Sequence, residues 1–317
     1  MIRTSFKVVT LLSITTLLLM ACSPKDPNFK SDGIIDIYTT IYPLKYFAER
    51  IGGNDVNAES IIPPGSDAHS FEPTTKTMTK LAESDIFIYN GAGMEGFAEA
   101  VKETLQNEDV TVLEAADGIH MDETEEEHEA HADEQSHDGH DHGDINPHIW
   151  IDPILSIQLA ENIKDTLVDL APEKKEMFEK NFKALKNDLL ALDESFKDMV
   201  SNAPKNEFLI SHDAYSYWES RYGLKQLSVS GLSPSQEPTQ KQLEDIIDTA
   251  ESHSISYMLF EQNATPKPAK AVQQELGLKT LRIHNLSVLS EKDIKNNETY
   301  LTLMEKNIHT MKKALSN

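Results

Sequence analysis

IIDIYTTIYPLKYFAERIGGNDVNAESII (residues 34–62) contains the repeating unit from which the fold can be read. Its opening run, IIDIYT (34–39), is short, apolar and rich in β-branched side chains, as in a buried strand. PLKYFAERIGG (43–53) changes to helical spacing, with Pro43 near its start and Gly52-Gly53 at its end. VNAESII (56–62) returns to a strand, stopped by Pro63-Pro64-Gly65. Strand, helix and strand in succession imply βα units and a mostly parallel sheet.

The unit repeats further along the chain. A helix near 74–83, the strand DIFIYN (85–90), a helix near 95–106 and the strand VTVLEA (110–115) complete a first set. A second set runs through NEFLIS (206–211), a helix in DAYSYWESRYG, LKQLSVS (224–230), a helix in PTQKQLEDIIDTAESH, ISYMLFE (255–261), a helix in TPKPAKAVQQELG and LKTLRIH (278–284), with a terminal helix over about 290–315. Between the sets the chain reads as helix from Asp152-Pro153 to about Ser201, with a break at Ala171-Pro172. Phe178, Phe182, Leu185, Leu189, Leu192 and Phe196 recur at spacings of three and four and form one apolar stripe. At about 1.5 Å per residue this helix is about 40 Å long, enough to run past both sets. The fold class is therefore α/β, with two lobes of mostly parallel sheet bridged by one long helix. The lobes are expected over 34–152 and 204–317, with linking helices over 153–203.

The first residues address the compartment. Arg3 and Lys7 precede VVTLLSITTLLLMAC, an apolar stretch shorter than the ~20 residues of a spanning helix. Leu19-Met20-Ala21-Cys22 resembles the lipobox of bacterial lipoproteins, which predicts a signal peptide over 1–21 and a lipid on Cys22, the single cysteine of the chain. Residues 22–33 read as a flexible tether to the cell membrane. A lone cysteine excludes an internal disulfide. The net charge of -24 argues against nucleic acid and against a patch for anionic lipid.

Three histidines stand in loops rather than on apolar faces: His69 in PPGSDAHSFEPT, His148 in DINPHIWIDP and His212 in FLISHDAYSYW. His69 lies a few residues past one expected strand and His212 immediately past another, which is where ligands bind in such sheets. Residues 120–147 carry His120, His128, His131, His137, His140 and His142 among Asp and Glu, and the chain holds no Lys or Arg from Glu103 to Asn162. This tract is expected to be a disordered loop that chelates metal weakly.

PPGSDAHSFEPTTKTMTKLAESDIFIYNGAGMEGF, NPHIWIDP, ISHDAYSYW, GLSPSQEPTQKQL and YMLFEQNATPKPAKAVQQELGLKTL resemble the solute-binding lipoproteins of bacterial zinc importers, the ZnuA/AdcA type, from about residue 34 to the C-terminus. The resemblance implies two α/β lobes bridged by a rigid helix, with Zn2+ held in the cleft by His69, His148 and His212 and delivered to an ABC permease. It also implies a monomer, outside the cytoplasm and anchored by its lipid. One departure stands out. Many members place a glutamate ligand where this chain has Ser287. That leaves the fourth position to water, to His284 or to a loop histidine, with water expected. Glu261, in FEQN, is expected to support a ligand rather than to be one.

Three neutral imidazoles suit zinc, whereas manganese prefers oxygen. A manganese or iron carrier of the same fold is the nearest alternative. A surface adhesin is another. A zinc hydrolase would use the same three ligands plus water, but no HExxH motif occurs and no general base is placed by motif.

Overall fold

Strand β1 (Ile35–Thr39) lies at the middle of the first sheet, between β2 (Val56–Ser60) and β3 (Ile86–Tyr89), with β4 (Thr111–Glu114) outermost beside β3. All the pairings are parallel. The computed structural model describes residues 33–121, 145–262 and 264–316. The signal peptide, Cys22 and the tether up to residue 32 therefore lie outside the described residues, as do the loop histidines His128, His131, His137, His140 and His142.

The crossovers of the first sheet are α1 (Tyr42–Gly52), α2 (Thr75–Ala82) and α3 (Ala98–Leu105). Pro43 stands in the first turn of α1, where its missing N–H has no partner to lose. Every side chain of β3 is buried, because helices cover both faces of a parallel sheet. Leu81, Phe87, Tyr89, Phe97, Val101 and Leu105 form a core between β3, α2 and α3.

The second sheet repeats the order. It runs β6 (Lys225–Ser230), β5 (Glu207–His212), β7 (Tyr257–Glu261) and β8 (Lys279–Ile283), again parallel throughout. Its core joins Leu209, Val229, Met258 and Phe260 to Ile246, Ala269 and Val272.

Two helices connect the sheets: α4 (Pro153–Leu170) and α5 (Lys175–Ser201), parted by a 3-10 turn at Pro172–Lys174. The break falls at Ala171-Pro172, as the proline requires. The 27-residue α5 buries the stripe of Phe178, Phe182, Leu185, Leu189, Leu192 and Phe196. It packs on α4 and α1, and on two helices of the C-terminal half, α6 (Ser216–Tyr222) and α10 (Tyr300–Ala314). It thus braces both halves. The helices over the second sheet are α7 (Gln240–Ser252) and α8 (Lys267–Glu275).

The terminal helix expected over about 290–315 is two helices, α9 (Glu291–Lys295) and α10. Asn297 turns the chain with φ +53, a left-handed conformation that asparagine tolerates better than most residues. Ser290 and Thr299 then open the two helices with capping boxes.

In both sheets the strand order reverses between the two central strands, the point at which such sheets bind ligands beyond their carboxyl ends. In the first sheet this crevice is filled from within. Glu95, buried, accepts hydrogen bonds from Thr40 Oγ1 (2.5 Å), Asn90 N (2.8 Å) and Gly91 N (3.0 Å). In the second sheet the corresponding ends are His212 on β5 and Glu261 on β7.

Candidate metal centre

His212 is the last residue of β5 and is 1% exposed. Its Nδ1 lies 2.9 Å from Glu261 Oε1 and its Nε2 lies 2.9 Å from the Leu232 carbonyl. Burial pulls its pKa down, but the Glu261 carboxylate and that carbonyl outweigh it, and the net shift is upward. The other Glu261 oxygen accepts Asn285 Nδ2–H at 2.9 Å. Asn285 Oδ1 in turn accepts the Ser287 hydroxyl at 2.9 Å. A relay of hydrogen bonds therefore links Ser287 to His212.

His69 comes from the loop between β2 and α2. Asp67 shapes that loop, accepting His69 N–H at 3.1 Å and the Ser70 hydroxyl at 2.8 Å. His148 comes from the segment before α4 and is 1% exposed. Its Nδ1 lies 2.7 Å from Asn146 Oδ1. Its Nε2 lies 3.1 Å from His69 Nε2. Burial, reinforced by His212, holds His69 down to about 4, against the pull of Asp67 and Glu261. Burial, with both neighbouring histidines, also holds His148 well below the ordinary range.

These three rings meet. One ring nitrogen from each lies within 4.8 Å of the other two. The ring centroids are 5.0, 5.5 and 4.9 Å apart. Around a tetrahedral zinc with Zn–N near 2.0–2.1 Å, ligand nitrogens stand about 3.3 Å apart. The His69–His148 spacing already matches, and the donor set of three imidazoles fits a borderline cation.

The other sequence candidates divide. Glu261 backs His212. Ser287, with Asp67, His69, Glu261 and Asn285, lines a cavity of about 160 Å3. That is several times the ~30 Å3 share of one water. His284 is engaged elsewhere: Nδ1 accepts Leu286 N–H at 2.9 Å and Nε2 faces Asp293 at 3.2 Å. Burial lowers its pKa against the pull of Asp293. His120 is exposed, one residue before Met121, which with Ile145 borders a larger cavity of about 690 Å3 that reaches His69.

Sequence reading missed Asn146, whose only local signal was its place two residues before His148. Asp152 and Asp213 stand close in sequence to two of the ligands. Asp152 instead caps α4, accepting Ile154 N–H and Leu155 N–H, and pairs with Arg221 at 2.6 Å. Asp213 accepts Gln226 Nε2–H, and its carbonyl faces Asn146 Nδ2 at 3.3 Å.

Compared with protein families, residues 37–314 match the family described as zinc-uptake complex component A periplasmic, ZnuA. The chain belongs to the ZnuA family. The zinc-binding lipoprotein AdcA of Streptococcus pneumoniae is 35% identical to it over 304 residues, 96% of this chain and 60% of AdcA. The chain thus spans about 60% of the length of that relative. The high-affinity zinc uptake system protein ZnuA of Bacillus subtilis is 31% identical over 303 residues, 94% of each chain. Among solved structures, the Zn(II)-bound ZnuA-like domain of Streptococcus pneumoniae AdcA superposes with a TM-score of 0.74, at 32% identity, over 90% of this chain and 100% of that one. Two parallel-sheet lobes with a long helix are thus the ZnuA-family architecture, seen here among the described residues.

Proposed function

We propose that the protein is an extracytoplasmic carrier that binds Zn2+ through His69, His148 and His212 and delivers it to an ABC permease. In this reading it is a monomer, held to the bacterial cell membrane by a lipid on Cys22. The observation that carries it is the convergence of three ring nitrogens within 4.8 Å, two of the rings backed at Nδ1 by Asn146 and Glu261. A backing acceptor at one nitrogen is what leaves the other free for a metal. A carrier is favoured over a hydrolase because Glu261, the carboxylate nearest His212, has both oxygens engaged, by His212 and Asn285. Calorimetric titration of the metal-free protein with Zn2+ and Mn2+ tests the reading; tighter binding of manganese overturns it.

Two further results are expected. Zinc and a proton compete for His212 Nε2, while burial already keeps His69 and His148 neutral. Affinity should therefore fall about tenfold per pH unit below the raised His212 pKa, with one proton released per zinc. A slope of two or three protons between about pH 7 and 5 contradicts this; it is read from Kd against pH.

Ser287→Glu sets a carboxylate on the wall of the cavity that His69 also lines. A fourth protein ligand replacing water should tighten zinc binding about tenfold or more and slow its release to a chelator. Unchanged affinity and release would show that the Ser287 wall does not reach the metal.

A further inference from the structure

We propose that Asn146 is a positioning residue for the cargo: one end of its amide sets the tautomer of His148, and the other fastens that ring to the second lobe. The inference rests on the three-histidine carrier reading and adds a residue to it.

The orientation of the Asn146 amide is fixed twice. His148 N–H donates to Oδ1 at 3.0 Å, so that atom is the carbonyl oxygen. Nδ2 stands 3.3 Å from the Asp213 carbonyl, which only accepts, so that atom is the NH2 group. Oδ1 cannot donate. The 2.7 Å contact between Oδ1 and His148 Nδ1 therefore requires the hydrogen on Nδ1. In a neutral imidazole the lone pair is then on Nε2. That is the atom facing His69, 3.1 Å away, where a cation would sit.

The nitrogen end does different work. Asn146 Nδ2 also donates to Ser216 Oγ at 2.8 Å, at the start of α6. The main-chain carbonyl of Asn146 accepts the Tyr217 hydroxyl at 2.6 Å. Asp213, its other partner, directly follows His212. One amide thus spans from the second histidine to the residue beside the third, and sets the 4.9 Å separation of their rings. The bland alternative is an asparagine that only ties two loops together. The two differ in the tautomer of His148, which a tie between loops does not determine.

The test reads the ring nitrogens of His148 by 15N NMR at about pH 8 in the metal-free full chain. Zinc affinity is read separately by competition with a chelator. Wild type should show hydrogen on Nδ1. Asn146→Asp keeps an acceptor at that place and should keep the tautomer, while Ser216→Ala should leave it untouched. Asn146→Ala should shift His148 towards hydrogen on Nε2 and lower zinc affinity about 10- to 100-fold. Asn146→Asp should lose less affinity than Asn146→Ala. Hydrogen on Nε2 in wild type, or an unchanged tautomer in Asn146→Ala, overturns the proposal. So does an equal loss of affinity in Asn146→Asp and Asn146→Ala. A wild type that binds no zinc would refute the carrier reading, and the tautomers would still judge Asn146.

Discussion

Replacing His148 with alanine is expected to lower zinc affinity about 100- to 1,000-fold while the fold persists. Four-ligand zinc sites are worth about 10–16 kcal/mol, so one imidazole carries about 3–4 kcal/mol, or two to three decades. His148 is also the best prepared of the three. Burial keeps it neutral, and Asn146 fixes its ring. Little affinity is spent on losing a proton or ordering the side chain. The contrasting variant is His284→Ala. That histidine is buried and held by Leu286 N–H and Asp293, so zinc affinity should stay near wild type while stability falls. Calorimetry on both variants reads the result. If His284→Ala loses more affinity than His148→Ala, the three-histidine site is wrong.

Trp150→Ala should cost about 3–5 kcal/mol of stability, the range for removing a fully buried large aromatic side chain. Trp150 is 0% exposed and its ring centroid lies 5.2 Å from that of His148. Its indole N–H donates to the Asn285 carbonyl at 2.7 Å, so the substitution leaves that oxygen without its partner as well as a cavity. The thermal midpoint should fall by roughly 10 °C at about 2–4 °C per kcal/mol. A change under about 2 °C would mean that neighbouring side chains close the space, and that the His148 segment does not depend on this anchor.

The strands and helices were legible because each obeys a local period. DIFIYN and YMLFE could bury every side chain only as central strands of parallel sheets, and they do so as β3 and β7. The stripe of α5 was readable from its spacing alone. The terminal helix was over-extended because the turn at Asn296-Asn297 is set by backbone conformation rather than hydrophobicity. The histidines were legible as residues without a packing reason. What escaped was how they are held. His148 follows the first sheet in sequence, yet its segment is fastened mainly to the second half. Trp218 Nε1 donates to the Ile151 carbonyl at 3.0 Å, Arg221 pairs with Asp152, and the Tyr300 hydroxyl donates to the Trp150 carbonyl at 2.7 Å. Such contacts join residues 67–150 positions apart and leave no mark on local spacing.

The same long separations govern the order in which the molecule is made. His69 and His148 are 79 residues apart in sequence, and Trp150 and Asn285 are 135 apart. Closing such loops, and pairing parallel strands through crossovers, is slow. Each sheet meanwhile has an apolar core of its own, and neither core includes a histidine. The two apolar cores are thus packed from side chains other than the three rings. A zinc finger collapses when its ion leaves. On the proposed carrier reading, a scaffold with cores apart from the three rings would outlast each departure of the ion.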